Sequence, residues 1–301
     1  MKHRPAFLTT FVLILAAIGL VFCVSPVYAQ TPSDLTDDLV SCWDLDEGSG
    51  TREDAYGVND LTDVNTVGRV AGVDGYAANF VVANNEVLSI ADPFHLGGDF
   101  TIAGWASLDD SGPVFIAIKW HEFLLGRYAP YARLYVSDDG VSWSHNANYN
   151  AAYVSGFDLL VGWYDSTAET ISFSLNNETP SSVSFTGTIP DGSNSFNIGG
   201  GGASNGSVDT VVIWERVLSS NDRTWLYNSG EGRSCQDIID TGLAPTPTPA
   251  GAYLGSLSSG DFYTLDYTVT AGDLIVIGGL VVMLIVIILG LGSVIFKQWL
   301  A

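Results

Sequence analysis

The stretch Gly98-Asp-Phe-Thr-Ile-Ala-Gly-Trp-Ala-Ser-Leu108 sets the expected fold class of this 301-residue chain. It begins with turn residues, and its apolar residues Phe100, Ile102 and Trp105 stand near small or polar neighbours. Such a pattern is typical of a strand in an antiparallel sheet. The stretch Val208-Asp-Thr-Val-Val-Ile-Trp214 has the same character near the end of the region. The two stretches together predict a β-sandwich.

Clusters of Gly, Asn, Asp and Ser divide the rest of the region into short β-rich runs. Their number fits an all-β jelly roll, in which two antiparallel sheets pack face to face. Helical character is confined to Asn221–Tyr227, which Ser219 or Ser220 caps and which ends before Gly230. The other predicted strands are Leu39 to Leu45, Ala77 to Val82, Glu86 to Ile90, Val114 to Lys119, Phe123 to Tyr128, Ala132 to Ser137, Leu159 to Tyr164, Thr170 to Leu175, Ser181 to Thr186 and Phe196 to Gly199.

A family resemblance over roughly residues 39–232 is carried by the order of four stretches. These are Trp43-Asp-Leu-Asp-Glu-Gly-Ser-Gly50 with Asp54-Ala-Tyr-Gly57 and Asn59, Gly75-Tyr-Ala-Ala-Asn-Phe80, Gly98 to Trp105, and Asp209 to Leu218. In this order they resemble the laminin G-like domains of the concanavalin A-like superfamily. The resemblance implies a jelly roll that mostly binds and rarely catalyses. Thr210 and the segment Phe157-Asp-Leu-Leu160 depart from the family pattern, which affects the expected ligand contacts more than the fold.

The start of the chain is typical of a secreted protein. Lys2 and Arg4 precede a mostly apolar run from Ala6 to Phe22, which is followed by the small-x-small triplet Val27-Tyr-Ala29. This order predicts a signal peptide over residues 1–29. An uncleaved first membrane helix is the alternative, because the apolar run is somewhat long for a signal peptide.

The end of the chain predicts a membrane anchor. The run from Leu274 to Phe296 has no charge in its interior, and about 20 apolar residues suffice to cross a bilayer core. Lys297 begins a short tail, residues 297–301, which the positive-inside rule places in the cytoplasm. A lipid-anchor signal whose tail is removed is the alternative for this end of the chain.

The segments between the two ends are predicted to lie outside the cell. Residues 34–236 form one folded domain displayed at the cell surface. The linker 243–250 has prolines at alternate positions, which makes it a semi-rigid spacer. The stalk 251–273 follows, in which Phe262–Thr270 is either a strand or part of an aromatic belt next to the membrane.

The acidic composition limits the classes of partner. The chain carries 11 Lys and Arg against 33 Asp and Glu, with a formal net charge of −22. Binding to nucleic acid needs basic residues that neutralise phosphates, so no nucleic-acid partner is expected. Divalent cations and neutral ligands suit this charge better.

Cysteine usage points to an oxidising compartment. Cys23 lies in the predicted signal peptide, so only Cys42 and Cys235 remain in the mature chain. We expect these two to form one disulfide that joins the start of the domain to its end. Two unpaired buried thiols are the alternative.

Catalytic patterns are weak in this sequence. A glycoside hydrolase of this fold class needs two carboxylates across the scissile bond, in a Glu-x-Asp-x-x-Glu strand that the chain lacks. Asp44, Asp46 and Glu47 come nearest, and solvated or turn-capping roles are expected for them. The histidines stand in no nucleophile-elbow pattern. The protein is therefore predicted not to be an enzyme.

A structural Ca²⁺ site is the most specific constellation, because carboxylate and carbonyl oxygens are the ligands that Ca²⁺ prefers. Asp54, Asn59 and Asp209 are the candidate ligands. The family resemblance implies that the turn Asp54-Ala-Tyr-Gly57 approaches the strand that holds Asp209. The alternative is that Asp54 and Asn59 only shape an Asx turn.

Exposed aromatic side chains are the candidates for ligand binding, because sugar rings stack on Trp and Tyr. Asp138-Asp-Gly140 predicts a hairpin between Arg133–Val136 and Val141–Trp143. The polar segment from Val141 to Tyr153 shows no core periodicity. The candidates are Trp143, Tyr149 and Tyr153 in that segment, and Trp120 and Tyr131 beside another loop.

Trp43, Trp105, Trp163 and Trp214 lie within apolar strands, so we expect them in the core.

These observations predict a non-catalytic module, anchored by a single membrane helix, that recognises carbohydrate or a surface or matrix protein. A structural or adhesive ectodomain without sugar binding is the alternative, and a glycan-active hydrolase is a third class. Asn177 and Asn205 stand in Asn-x-Ser/Thr contexts, where glycosylation is chemically permitted.

Overall fold

The computed structural model describes residues 32–109, 112–128, 130–150, 156–200, 204–243, 252–256 and 262–266, the last two ranges as strands only. The chain divides into two compact units, Met1–Gly242 and Leu243–Ala301. The predicted signal peptide and the predicted membrane helix Leu274–Phe296 lie outside the described residues. No helix within the described ranges combines the length and the apolar character that crossing a bilayer requires.

Fifteen strands build the described part of the first unit. In chain order they are β1 (Leu39–Trp43), β2 (Thr62–Val64), β3 (Gly68–Ala71), β4 (Tyr76–Phe80), β5 (Val87–Ile90), β6 (Phe100–Leu108), β7 (Val114–Lys119), β8 (Phe123–Tyr128), β9 (Tyr131–Val136), β10 (His145–Asn150), β11 (Asp158–Asp165), β12 (Thr170–Leu175), β13 (Ser181–Ser184), β14 (Phe196–Gly199) and β15 (Gly206–Trp214).

These strands form two antiparallel sheets that pack face to face. One sheet has eight strands in the order β13-β12-β11-β6-β15-β4-β3, with β1 also paired to β15. Helices cover its outer side, so we call it the helix-covered sheet. The other sheet has seven strands in the order β10-β9-β8-β7-β14-β5-β2, and we call it the open sheet. The predicted two-sheet sandwich is confirmed.

The core lies between the two sheets and consists of the inward side chains of both. Alternation along each strand directs every second side chain into it. Trp43 of β1 stacks on Phe196 of β14, with ring centroids 5.4 Å apart, so the two sheets are in direct contact there. Trp105, Trp163 and Trp214 are also buried, as predicted.

A second apolar cluster covers the outer side of the helix-covered sheet. It is closed by two short helices, α1 (Ser220–Tyr227) and α2 (Cys235–Asp240). Each begins with a capping box, in which Ser219 pairs with Asp222 and Ser234 pairs with Asp237. The sequence pattern predicts α1 but not α2, because α2 has only six residues and packs through Cys235 and Ile238 alone.

The expected disulfide is present and joins β1 to the first residue of α2. Cys42 and Cys235 are separated by 193 residues in the sequence, and both are fully buried. The backbone N–H of Cys235 also donates to the Asp44 carboxylate at 2.7 Å, just beyond the end of β1. The two ends of the domain are therefore held together by a covalent bond and a hydrogen bond.

Two predictions about strands near the loops are wrong. The first strand ends at Trp43 rather than Leu45, because Leu45 adopts a left-handed backbone with φ of 65°. The hairpin after β9 does not resume at Val141. The Asp139 carboxylate accepts the N–H groups of Val141 and Ser142, both at 2.8 Å, and so holds this segment as a loop.

The second unit contains a separate hairpin of two antiparallel strands, β16 (Ala252–Ser256) and β17 (Phe262–Asp266). A strand was one of the two alternatives for the segment Phe262–Thr270, and its first part is a strand.

Candidate functional site

The outer side of the open sheet presents a row of aromatic side chains on β8 and β9. Residues directly opposite one another in paired strands point to the same side of a sheet. Tyr131, Arg133 and Tyr135 of β9 therefore share one side, and Tyr128 of β8 stands opposite Tyr131. The residues between them on β9, Ala132 and Leu134, are buried in the core.

Arg133 lies at the centre of this row. Its guanidinium carbon is 4.7 Å from the ring centroid of Tyr131, 5.2 Å from that of Tyr135 and 5.8 Å from that of Tyr128. Its Nη1 donates a hydrogen bond of 2.5 Å to the Tyr135 hydroxyl. Cation–π attraction and this hydrogen bond fix the side chain among the three rings.

A group of four rings continues the row at the Tyr135 end. Trp143 is 6.0 Å from each of the Trp120, His121 and Tyr135 ring centroids. Trp120 and His121 are themselves 6.1 Å apart in an edge-on arrangement. Two separate loops therefore bring aromatic residues to one place beside β9.

Buried ionic groups hold the loop that carries Trp120. Lys119 and Glu122, at the two ends of the β7–β8 turn, are almost fully buried and form an ion pair of 3.1 Å. His121 between them has a φ of 62°, which closes the turn tightly. Nδ1 of His95 lies 3.4 Å from Oε2 of Glu122 and 3.6 Å from Oδ1 of Asp191. These contacts link three loops.

The Asp139 carboxylate fixes the other loop. Hydrogen bonds from the N–H groups of Ser142 and Val141 hold the pKa of Asp139 well below its usual range. Asp139 is therefore ionised at physiological pH, and the loop that presents Trp143 is ordered by a charged acceptor.

Strand β10 adds amide groups beside the aromatic row. Asn146, Asn148 and Asn150 stand opposite Tyr135, Arg133 and Tyr131 respectively, and so point to the same outer side. We call the whole set the aromatic face: Trp120, Tyr128, Tyr131, Arg133, Tyr135, Trp143, Asn146, Asn148 and Asn150.

Several rings of the aromatic face are exposed to solvent. The exposed fraction is 39% for Trp120, 52% for Tyr128 and 37% for Tyr131. Clustered exposed aromatic side chains are typical of interaction surfaces. Rings that can stack on a ligand lie here beside amide and guanidinium groups that can hydrogen-bond to it.

Three of the five predicted ligand-binding residues meet on the aromatic face: Trp120, Tyr131 and Trp143. Tyr149 does not, because it stands opposite Ala132 and packs against the core. Tyr153 lies outside the described residues.

The sequence analysis does not identify Arg133 and Tyr135 as candidate binding residues. The signal that could have found them is the alternation of polar or aromatic residues with core residues along β9. The segment described as lacking core periodicity contains β10, in which Asn146, Asn148 and Asn150 alternate with inward Ala147 and Tyr149. That alternation is a strand signal that the predominance of polar residues conceals.

Two of the three candidate Ca²⁺ ligands lie together. Asp54 Oδ1 accepts hydrogen bonds from the N–H groups of Cys42 at 3.0 Å and Gly57 at 2.9 Å, and Oδ2 accepts from Asn59 at 3.1 Å. Asn59 donates its amide to Ser41 at 2.7 Å. The described hydrogen bonds of this group match an Asx turn, the alternative considered for Asp54 and Asn59.

Asp209 has partners of its own. Its Oδ2 accepts from the N–H groups of Val73 at 2.6 Å and Asp74 at 3.2 Å, in the turn between β3 and β4. Burial raises the pKa of Asp209 to about 7, and these hydrogen bonds oppose the rise. The hydrogen bonds given for Asp209 join it neither to Asp54 nor to Asn59, so they do not assemble the three residues around one ion. The Ca²⁺ site stays a prediction.

The Asp54→Ala variant separates the two interpretations of this turn. We expect it to lower the free energy of unfolding by about 2 to 3 kcal/mol, because several backbone N–H groups lose a charged acceptor. The expected loss is the same with excess CaCl₂ and with EDTA, as measured by urea denaturation. A loss that occurs only in CaCl₂ would instead support a metal site.

Comparisons with known proteins give fold similarity only. No protein-family model matches the chain, and no curated protein matches it either. The laminin G-like resemblance therefore stays a prediction.

Solved structures of botulinum neurotoxin binding domains share the fold. The serotype D binding domain has a TM-score of 0.52 at 9% identity, covering 77% of this chain and 63% of that one. The neurotoxin DC binding domain in complex with rat synaptotagmin II has a TM-score of 0.51 at 9% identity. The same domain in complex with SialylT has a TM-score of 0.50 at 10% identity. Each of the two neurotoxin DC matches covers 65% of this chain and 52% of the toxin domain, so this chain spans about half the length of those domains.

Proposed function

We propose that the sandwich is a non-catalytic binding module that recognises carbohydrate through the aromatic face. The observation that carries this proposal is the row of Tyr131, Arg133 and Tyr135 beside Trp120 and Trp143, in which Trp120 and Tyr131 are exposed to solvent. A laminin G-like module displayed at the cell surface by the predicted membrane helix is the proposed setting.

The chemistry of the aromatic face suits a sugar. The C–H side of a pyranose ring is apolar and stacks on Trp or Tyr, while its hydroxyl groups need donors and acceptors nearby. Asn146, Asn148 and Asn150 provide both, because each amide has an oxygen acceptor and two N–H donors. The rings are held by cross-strand pairing and loop hydrogen bonds, so little side-chain order has to be gained on binding.

The proposal does not include catalysis, and the partners of Asp44 and Asp46, which come nearest to a hydrolase pattern in the sequence, support structural roles for both. Asp44 accepts the N–H of Cys235 at 2.7 Å, and Asp46 accepts the N–H of Tyr76 at 2.5 Å. Both therefore hold turns beside the helix-covered sheet, on the opposite side of the sandwich from the aromatic face.

Two complexes with similar folds are consistent with a binding role. One of these similar structures is a complex with SialylT, and the other is a complex with rat synaptotagmin II. We take these as examples of what this fold can bind, and the proposal for this chain rests on its own residues.

The Trp143→Ala variant tests the proposal. We expect the full-length chain to bind a subset of a glycan array, and the variant to lose about tenfold or more in affinity for those glycans. The reason is that Trp143 contacts Trp120, His121 and Tyr135, so its removal takes away one ring and loosens three others.

Tyr76→Ala is the matched control, because Tyr76 is an exposed aromatic residue of the helix-covered sheet, with 45% exposure. It should leave glycan binding unchanged. The proposal fails if a folded wild-type protein binds no glycan, or if both variants reduce binding equally. In the first case protein adhesion becomes the favoured function.

A further inference from the structure

We propose that Arg133 makes the aromatic face selective for anionic glycans, those that carry a carboxylate or a sulfate group. This inference rests on the proposed glycan binding and specifies the ligand class of the same site. The chain has a net charge of −22, yet Arg133 of the aromatic face forms no ion pair with any carboxylate among the described residues.

The partners of the other basic residues show that Arg133 is unusual. Among the described residues, Arg52, Lys119, Arg127 and Arg216 each pair with a carboxylate. Three more arginines donate hydrogen bonds to backbone carbonyl oxygens: Arg69 to Asp46, Arg223 to Leu218 and Arg233 to Trp225.

Arg133 has neither kind of partner within the described ranges. Its one side-chain hydrogen bond goes to the Tyr135 hydroxyl, and its Nε has no partner. A guanidinium has five N–H donors, so most of its donor capacity is unused. The arginine is nevertheless half-buried among rings, where water satisfies it less well than at a fully exposed position.

Uncharged residues occupy the outward positions of β8, β9 and β10 around Arg133. In the register of β8, β9 and β10, Gly126 and Asn148 flank Arg133 directly. The remaining outward positions of these strands hold Leu124, Tyr128, Tyr131, Tyr135, Asn146 and Asn150. None of these outward positions carries an acid, so an anion placed over Arg133 meets no like charge within this part of the sheet.

The geometry also favours an anion that is part of a sugar. A planar guanidinium binds carboxylate and sulfate oxygens through parallel N–H groups, and the bond gains strength where water is partly excluded. Tyr131 and Tyr135 stand on either side of Arg133 along β9, so a sugar stacked on either ring brings an acidic substituent next to the guanidinium. On the remaining side, the Phe115 ring fills the space beside Gly126, so a ligand can approach Arg133 only from the side of β9 and β10.

The test uses an array of neutral oligosaccharides together with their sialylated and their sulfated counterparts. We expect the full-length wild-type protein to prefer the anionic member of several pairs by about tenfold or more. The Arg133→Gln variant should lose this preference, measured as the ratio of its affinities for the anionic and the neutral member of each pair. Arg133→Lys should retain part of the preference, since it keeps the charge and loses the planar fork.

Arg69→Gln is the matched control, because Arg69 also lies over a tyrosine ring, that of Tyr76, on the other sheet. It removes the same charge and should leave the preference unchanged. The separate sialylated and sulfated arms identify whether carboxylate or sulfate is the bound group.

Each result on the array decides between the inference and the function on which it rests. Binding to neutral glycans alone, or a preference that survives in Arg133→Gln, overturns the inference and leaves the proposed function standing. The absence of all glycan binding by a folded wild-type protein overturns both. If Arg133→Gln loses neutral and anionic binding together, Arg133 maintains the arrangement of the aromatic rings, and the inference that it selects anionic glycans is overturned.

Discussion

Replacing Cys42 and Cys235 by serine is expected to lower the free energy of unfolding by about 4 to 5 kcal/mol. The disulfide closes a loop of 193 residues, and in the chain-entropy model the constraint on the unfolded state grows with loop length. Without the disulfide, local opening is also expected to begin at α2. Its six residues have few other apolar contacts with the sheet.

Denaturation with urea, with and without reductant, measures this effect. The wild-type protein should lose most of the stated stability on reduction, while the double serine variant should not respond to reductant. Hydrogen exchange should show that α2 opens before the central strands in the variant. A variant as stable as the oxidised wild-type protein would show that the disulfide does not restrain the unfolded chain.

Stability should fall as the pH rises from about 4 to about 7, and the Asp209→Asn variant should lose much of this dependence. Burial raises the pKa of Asp209 to about 7 in the folded protein, against an ordinary value of 3.8. In this pH range the folded state therefore binds more protons than the unfolded state, and deprotonation opposes folding. The total effect is up to about 4 kcal/mol, and it is complete above pH 7.

Other carboxylates with shifted pKa values also change the stability with pH, some raising it and some lowering it as the pH rises. The comparison between wild type and Asp209→Asn therefore needs a control. Burial also raises the pKa of Asp44 and of Asp74, which adds to the fall in stability above pH 4. Hydrogen bonds lower the pKa of Asp34 and Asp138, whose effects fall at lower pH.

Glu178→Gln removes an equal charge from an exposed position and should keep the wild-type pH profile. A variant profile for Asp209→Asn that parallels the wild type between pH 4 and 7 would contradict the prediction.

The sandwich could be predicted from sequence because its central strands alternate clearly or are continuously apolar. The residues of β6 and β15 are nearly all buried. The apolar pattern of such a strand can be recognised in its own sequence, without knowing which strands pair with it. Short edge strands are different. β2 and β3 have exposed patterns and form only because β5 and β4 offer hydrogen-bond partners, which the sequence of the strand itself does not reveal.

The candidate site could be predicted only in part, because it also depends on strand pairing that the local sequence does not show. Trp120 and Trp143 stand out by residue type, and their neighbours in the sequence place them in loops. Their meeting depends on the pairing of β8 with β9 and of β9 with β10, which is a long-range property of the sheet. Arg133 could not be identified as unusual from sequence, because its distinguishing feature is that no carboxylate in the described part of the chain pairs with it in space.

The joined ends of the domain determine how it transmits mechanical load. Leu35, at the start, donates its N–H to Thr241 at 2.8 Å, and Cys42 is bonded covalently to Cys235. A pull on the chain at Gly242 therefore reaches a covalent link before it can peel α1 or the strands. Force applied at Gly242 would pass through that link into the sheets, so the sandwich would not unzip from its C-terminal end.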